Sequence, residues 1–193
     1  DEWIISRSGI RERHIAPEGM GSAAMALEAS KQAMTMANCT HEDIDLIINA
    51  TVTPSYRLPS NACTMQGEMG FPNAVAFDVV AACAGFINGL SIANALISTG
   101  QHKRALVVGV ENLTSITNYQ DRGTCVLFGD AAGAVVVEPC DEGPGVLSTY
   151  LKSDGSLREW LWIKAGGSKN PIGEGHVFDG SDKIYMNGSD IFK

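Results

Sequence analysis

The chain has 193 residues, a formal net charge of −8 and a hydrophobic fraction of 45%, which is the composition of a globular protein with a sizeable core. No cluster of Lys or Arg interrupts the acidic balance, which argues against a nucleic-acid-binding protein. No apolar run is long enough to cross a bilayer, and the first residues, DEWIISRSGIRERH, lack the apolar core of a signal peptide.

Cysteine usage indicates a reducing compartment. The cysteines are Cys39, Cys63, Cys83, Cys125 and Cys140. Their number is odd, their spacing is wide, and no CxxC pair occurs. We therefore expect a cytoplasmic protein with neither a disulfide framework nor a zinc site.

Apolar runs typical of strands alternate with Ala-rich stretches typical of helices. In chain order, the sequence predicts a helix over 22–38, strand 45–52, helix 60–69, strand 74–80, helix 84–99, strand 104–111, and strands over 124–128 and 133–138. Ser22 and Ser60 are predicted N-caps, and Gly70 and Gly100 are placed to end helices. Because the strand runs are nearly continuously apolar, both faces of the sheet should be covered. The order predicts an α/β layered fold with a largely parallel sheet.

After Pro139, the regular alternation of strand-like and helix-like segments ends. GVLSTYLKSDG is typical of a further strand, WLWIKAGGSKNP of a Gly-rich loop, and DKIYMNGSDIFK of a loop leading into a helix. No hinge-like linker is present, so residues 1–193 are predicted to form a single domain. Both ends of the chain are expected to interrupt folded structure.

Cys83 lies at the predicted junction of strand 74–80 and helix 84–99. A thiol at a helix N-terminus lies at the positive end of the macrodipole, which favours thiolate, and the free amides there can bind an oxyanion. The neighbouring residues, AA before it and AG after it, leave room for a substrate carbonyl. Against this stands the common role of cysteine in apolar surroundings, an inert core residue. From these residues alone, both interpretations stay open.

Four ordered blocks resemble the β-ketoacyl-acyl carrier protein synthase III family, a group of condensing enzymes in the thiolase-like superfamily. These blocks are DEWIISRSGIRERHI at 1–15, ATVTPSYRLPSNAC at 50–63, AFDVVAACAGF at 76–86 and DRGTCVLFGDAAGAVVVEP at 121–139. The resemblance implies one half of a thiolase-like layered fold. It also implies that Cys83 takes an acyl group from acyl-coenzyme A, which then condenses with malonyl-acyl carrier protein to give a 3-oxoacyl product. Acyl-coenzyme A is here a substrate, no other cofactor is implied, and the protein is expected to be a homodimer.

The resemblance assigns further positions. Trp3 and Arg122 match residues that hold the coenzyme A adenine, and Arg7 matches a nearby coenzyme A contact. Without the family, Trp3 is a half-buried terminal aromatic and both arginines are surface charges. Leu58 matches a position, often aromatic, that reaches across a dimer interface into the partner's acyl pocket, although it is equally an ordinary loop anchor.

Other candidate features favour structural roles. FGDAAGA at 128–134 lacks the GK[ST] ending of a phosphate-binding loop and precedes a strand, so Asp130 is interpreted as structural. The four cysteines other than Cys83 are expected to be buried spacers. No His and Cys pair has metal-ligand spacing, and no metal is predicted.

The family's condensing step also uses a His and an Asn from the second half of its fold, and this sequence stops before that half. None of its four histidines lies in the relevant motif. The chain is therefore either part of an active acyltransferase or a non-catalytic half-domain that dimerises and binds acyl-coenzyme A. A polyketide starter-unit synthase of the same family is a further alternative to the initiation of fatty acid synthesis.

Overall fold

The computed structural model describes residues 2–141, 143, 145–175 and 179–191. The chain divides into two units. The first, called the sheet unit here, comprises Ala16–Asn112 and Ala131–Leu151. The second, called the loop-rich unit, comprises Asp1–Ile15, Leu113–Asp130 and Lys152–Lys193. Whether the whole chain behaves as the single predicted domain stays a prediction.

A four-stranded sheet organises the sheet unit. Its strands are β1 (Leu46–Ala50), β2 (Val75–Val79), β3 (Ala105–Asn112) and β4 (Asp130–Val137), in the spatial order β2-β1-β3-β4. Strand β1 pairs in parallel with both β2 and β3, so that Ile48 lies between Phe77 and Val107. Parallel pairing requires crossover connections, and the helices between these strands provide them.

Three helices pack on this sheet. The helices of the chain are α1 (Glu2–Ser8), α2 (Ser22–Met36), α3 (Asn61–Met69), α4 (Gly85–Ser98) and α5 (Gly188–Ile191). Ser60 caps α3 by accepting a hydrogen bond from the Cys63 amide at 3.1 Å, and Gly70 ends it at a φ of 72°, as predicted. Helix α2 is capped differently, because Gly21 occupies its N-cap and Ser22 is already helical.

The side chains of β1 alternate between two buried clusters on opposite faces of the sheet. Ile47, beside Leu106 of β3, belongs to the cluster under α2 and α3. Ile48, beside Val107, belongs to the cluster under α4. Burying each such side chain stabilises the fold by about 1.5–3 kcal/mol. The sheet is therefore the middle layer of three, as the continuous apolar runs predicted.

Two predicted strands are absent from the described residues. Residues 124–127 form turns, because the Asp121 carbonyl accepts hydrogen bonds from the amides of Thr124 (3.3 Å) and Cys125 (3.0 Å). The segment 145–155 contains no strand, and exposed apolar side chains such as Leu147 lie along it. Helix α1 and the two-residue strands β5 (Leu161–Trp162) and β6 (Tyr185–Met186) were not predicted. Among the described residues, no helix has the length and apolarity to cross a membrane.

Candidate active site

Cys83 lies in a sharp connection between the end of β2 and the start of α4. A short 3₁₀ helix, Ala82–Ala84, leads directly into α4, and the Ala84 amide donates to the Ala81 carbonyl at 3.1 Å. Ala82 has a φ of 44°, in the left-handed region that non-glycine residues rarely adopt. The thiol-bearing residue is exposed. The chain thus reverses direction immediately before Cys83 and presents it at the start of the helix, as the strand-to-helix pattern predicted.

Small residues bring this helix start close to the sheet. A Cβ atom placed on Gly85 would lie 3.0 Å from the Cβ of Ala50, at the end of β1. No side chain caps either the 3₁₀ helix or α4. The Ala84 and Gly85 amides already donate to the carbonyls of Ala81 and Ala82, so the amides without an intrahelical acceptor are those of Ala82 and Cys83 at the start of the 3₁₀ helix, and these are suited to hold an oxyanion.

Two elements beside Cys83 are incompletely covered. Strand β2, which precedes Cys83, is an edge strand of the described sheet. Helix α4 buries one face, formed by Gly85, Gly89, Ala93 and Ile97, while Ile87 on another face is 47% exposed. An apolar helix with an uncovered apolar face is typical of a surface that another protein element covers.

Leu58 lies on the loop that joins β1 to α3, residues 52–60, and its side chain is 87% exposed. Two carboxylates fasten the ends of this loop. Glu111 accepts hydrogen bonds at its beginning, and Asp78 accepts them at the start of α3. The sequence motifs indicate no role for either residue. An acidic residue at the carboxyl end of a buried apolar strand, as in VVGVEN, is the signal that could have identified Glu111.

The residues matched to coenzyme A contacts lie in the loop-rich unit. Trp3 and Arg7 are four residues apart on α1 and so share one face of that helix, where both are exposed. Arg122 is also exposed. Its turn is built by Asp121, whose carboxylate accepts from the Gly123 amide at 2.8 Å and from the Thr124 hydroxyl at 2.9 Å.

The other four cysteines do not all fit the expectation of buried spacers. Cys63 and Cys140 are exposed, so the prediction is wrong for them, whereas Cys39 and Cys125 are partly buried. Burial raises the pKa of the Cys39 thiol, which disfavours its reactive thiolate form. Asp130 accepts hydrogen bonds from the Thr114 amide and hydroxyl at 2.8 and 2.7 Å, a contact that suits its structural interpretation. Within the described ranges, no group of three or more His, Cys, Asp or Glu residues is arranged to hold a metal ion.

Comparisons with known proteins identify relatives of the whole chain. The family model for 3-oxoacyl-[acyl-carrier-protein] synthase III matches residues 77–155. The β-ketoacyl-[acyl-carrier-protein] synthase III proteins of Caldanaerobacter subterraneus subsp. tengcongensis and Symbiobacterium thermophilum are 47% and 48% identical to it over 193 residues. These alignments cover 100% of this chain and 58% of each relative, so the chain spans little more than half of their length.

Solved structures show the same relation. The 3-oxoacyl-[acyl-carrier-protein] synthase III of Aquifex aeolicus superimposes with a TM-score of 0.86 at 42% identity, covering 100% of this chain and 57% of that one. The priming β-ketosynthase of the R1128 polyketide pathway superimposes with a TM-score of 0.83 at 34% identity, covering 99% of this chain and 56% of that one. The chain belongs to the β-ketoacyl-[acyl-carrier-protein] synthase III family and corresponds to the amino-terminal half of its thiolase-like fold.

Proposed function

We propose that the protein containing this chain is a condensing acyltransferase that uses Cys83 as its nucleophile. It takes an acyl group from acyl-coenzyme A and condenses it with malonyl-acyl carrier protein, which initiates fatty acid synthesis. The observation that carries the proposal is the placement of an exposed cysteine on a sharp turn at the start of α4. A residue held in this way can meet a substrate carbonyl beside the first amides of the 3₁₀ helix, those of Ala82 and Cys83, which have no intrahelical acceptor.

The chemistry proceeds in two steps. The Cys83 thiolate attacks the thioester carbonyl of acyl-coenzyme A, the new carbon–sulfur bond forms, and the coenzyme A sulfur leaves and takes up a proton. Malonyl-acyl carrier protein then loses carbon dioxide, and its carbanion attacks the acyl carbon on the enzyme. The Cys83 sulfur leaves as thiolate, and 3-oxoacyl-acyl carrier protein is released.

Three exposed side chains of the loop-rich unit are suited to the nucleotide end of coenzyme A. Trp3 offers a flat face on which adenine can stack, and Arg7 lies one helical turn away on the same face of α1. Arg122 can stack on a base or pair with phosphate, and the Asp121 turn fixes the backbone that carries it. We propose these three residues as coenzyme A contacts.

The condensing step requires groups beyond this chain. The resemblance assigns them to a His and an Asn of the second half, which polarise the malonyl thioester and stabilise the enolate charge. The 193-residue chain alone is therefore expected to fail in condensation. Continuation of the gene into a half containing both residues would support the proposed function, and a stop codon directly after Lys193 would favour a non-catalytic half-domain.

One observation favours a second function within the same family. The structural match to a priming β-ketosynthase of a polyketide pathway is nearly as extensive as that to the Aquifex aeolicus enzyme. A starter-unit synthase would use the same Cys83 chemistry with a different acyl chain. Comparing acyl-coenzyme A substrates of different chain length would separate the two functions.

The proposal also covers the oligomeric state of the protein and its cellular location. We propose a homodimer that forms along β2, because β2 is an edge strand and Val75 at its start is 54% exposed. All five thiols are free, which is typical of a reducing compartment, and supports a cytoplasmic location.

The test is acyl transfer followed by intact-protein mass spectrometry. Acetyl-coenzyme A should add one acetyl group to the gene product that contains this chain, and Cys83→Ser should abolish the thioester because a serine hydroxyl stays protonated without an adjacent base. The 193-residue chain should acylate much more slowly. Cys63→Ser is the matched control, since Cys63 is also exposed and should be dispensable. Label on another cysteine, or thioester retained by Cys83→Ser, would contradict the proposal.

A further inference from the structure

The loop 52–60 carries exposed apolar side chains at its tip. Tyr56 is 61% exposed and Leu58 is 87% exposed. Large apolar side chains on an exposed loop are typical of a contact surface, and loops that make specific contacts depend on how well they are positioned. Hydrogen bonds to three neighbouring residues hold this tip in place.

The first anchor is Glu111, at the end of β3. Its Oε1 accepts a hydrogen bond from the Val52 amide at 2.9 Å, and its Oε2 accepts from the hydroxyls of Thr53 at 2.5 Å and Thr51 at 3.3 Å. The Thr53 hydroxyl in turn accepts from the Asn112 amide at 2.8 Å. One carboxylate thus binds three consecutive residues where the loop leaves β1.

The second anchor is Ser55, in the middle of the loop. Its amide donates to Asn61 Oδ1 at 3.1 Å, and its hydroxyl accepts from the Ala23 amide near the start of α2 at 2.9 Å. Asn61 Oδ1 also accepts from the Ser22 hydroxyl at 3.2 Å, and Asn61 is buried. This contact ties the loop to two helix starts at once.

The third anchor is Asp78, on β2. Its Oδ2 accepts from the Asn61 amide at 2.7 Å, and its Oδ1 accepts from the Ala62 amide at 2.8 Å and from Asn49 Nδ2 at 3.3 Å. A carboxylate at the first amides of α3 also complements the helix dipole. The three anchors leave residues 56–59 as the unfastened tip.

We propose that Glu111 and Asp78 are positioning residues which hold the loop 52–60 in one conformation and so determine which acyl chains the enzyme accepts. This inference rests on the proposed acyl transfer. Charge-assisted hydrogen bonds are stronger than neutral ones. A pre-organised tip would avoid the entropic cost of ordering at the acyl pocket of a second copy, which is where the family resemblance places Leu58. Selectivity between acyl chains that differ by a few methylenes depends on such pocket contacts.

The experiment compares three variants and one control in the gene product that contains this chain. Glu111→Gln and Asp78→Asn each replace one accepting oxygen by a donor, and Glu111→Ala removes the first anchor completely. Glu138→Gln is the control, because Glu138 pairs with Arg104 at the opposite end of β3, at 2.6 Å, and touches no anchor. Hydrogen–deuterium exchange reports on the loop amides, and kcat/KM for acetyl- and butyryl-coenzyme A reports on selectivity.

We expect exchange at residues 52–62 to be about tenfold faster in the three variants. The ratio of the two kcat/KM values should change by about 3- to 10-fold, mainly through KM, while kcat for the better substrate stays within about threefold. Glu138→Gln should leave both exchange and ratio as in the wild type.

Each contrary outcome would overturn a different part of the proposal. Unchanged loop exchange in both Glu111→Ala and Asp78→Asn would overturn the anchoring. Faster exchange with an unchanged ratio would overturn the selection of acyl chains. A wild-type protein that transfers no acyl group would overturn the proposed function together with that selection, whereas the anchoring would still be decided by exchange alone.

Discussion

Ala82 adopts a left-handed backbone conformation, with a φ of 44°, one residue before the candidate nucleophile. For an L-residue with a Cβ atom this conformation costs about 1–2 kcal/mol, and such strain is often kept where it positions a functional group. Here it turns the chain between β2 and α4, so that Cys83 is presented at the helix start. Whether a substitution at position 82 is tolerated should therefore depend on how readily the new residue adopts a positive φ, and not on how its side chain packs.

Substitution of Ala82 tests this dependence. Ala82→Gly should leave the free energy of unfolding within about 1 kcal/mol, because relief of strain is offset by the larger entropy of glycine in the unfolded chain. Ala82→Val should cost about 1–2 kcal/mol and slow acylation of Cys83 at least about tenfold, since β-branched residues resist positive φ. Denaturant unfolding and rapid-quench mass spectrometry measure both effects. Ala95→Val, at an exposed site of α4, is the control. Wild-type acylation by Ala82→Val would contradict the role of the turn.

The residues of the candidate site differ in how far sequence could predict them. Cys83 was placed correctly because a strand-to-helix switch is a local pattern. The φ of Ala82 has no such pattern, since alanine does not indicate a left-handed turn. Glu111 was missed because the hydroxyl of Thr51 that it binds lies 60 residues earlier in the sequence. Contacts of this kind depend on the register of β1 against β3, which composition does not determine.

Helix α4 owes its position to glycine. A Cβ atom on Gly89 would lie 3.1 Å from Val107 Cγ1 and 3.4 Å from Ile48 Cγ2, both of which are buried in the sheet. Ordinarily a glycine inside a helix destabilises it by about 1 kcal/mol relative to alanine. In α4 this cost is offset by close packing of the helix on β1 and β3.

The same substitution, Gly to Ala, at two positions separates the cost of glycine within a helix from the benefit of the close packing that it allows. Gly67 lies inside α3, and a Cβ atom there would have no neighbour within 4 Å. Gly67→Ala should therefore raise the free energy of unfolding by about 0.5–1 kcal/mol through helix propensity. Gly89→Ala should gain nothing or lose about 1 kcal/mol, because Val107 and Ile48 must shift. Chemical denaturation measures both. Equal stabilisation by the two substitutions would show that α4 does not depend on close contact at Gly89.

Helices and strands could be predicted from the sequence where the apolar pattern was long and depended only on neighbouring residues. The helix predicted over 84–99 is observed as Gly85–Ser98, and the strand predicted over 104–111 as Ala105–Asn112. The strand predicted over 124–128 does not form, because the hydrogen bonds of Asp121 hold this apolar run in turns. The segment 145–155 has strand composition but no strand partner among the described residues. A strand requires a neighbouring strand, which its own sequence does not specify.

At the scale of the whole molecule, the open edge of β2 determines how copies can associate. The Val75 amide donates to the Asp45 carbonyl at 3.0 Å, on the side of β1. Successive amides of a strand alternate in direction, so the Ala76 amide faces the open edge. An edge strand with free amides and exposed apolar residues, such as Val75, is a template for pairing with another strand.

Removing one outward amide should weaken the proposed dimer without disturbing the pairing of β2 with β1. In the gene product that contains this chain, Ala76→Pro removes the amide that faces the open edge. We expect the dimer dissociation constant to rise at least about tenfold, as measured by light scattering and sedimentation over a concentration series. Ala76→Ser is the matched control, because it retains the amide and should remain dimeric. Circular dichroism and thermal unfolding show whether each variant is folded. A folded Ala76→Pro variant with wild-type dimer affinity, or a wild type that is strictly monomeric, would exclude β2 as the dimer edge.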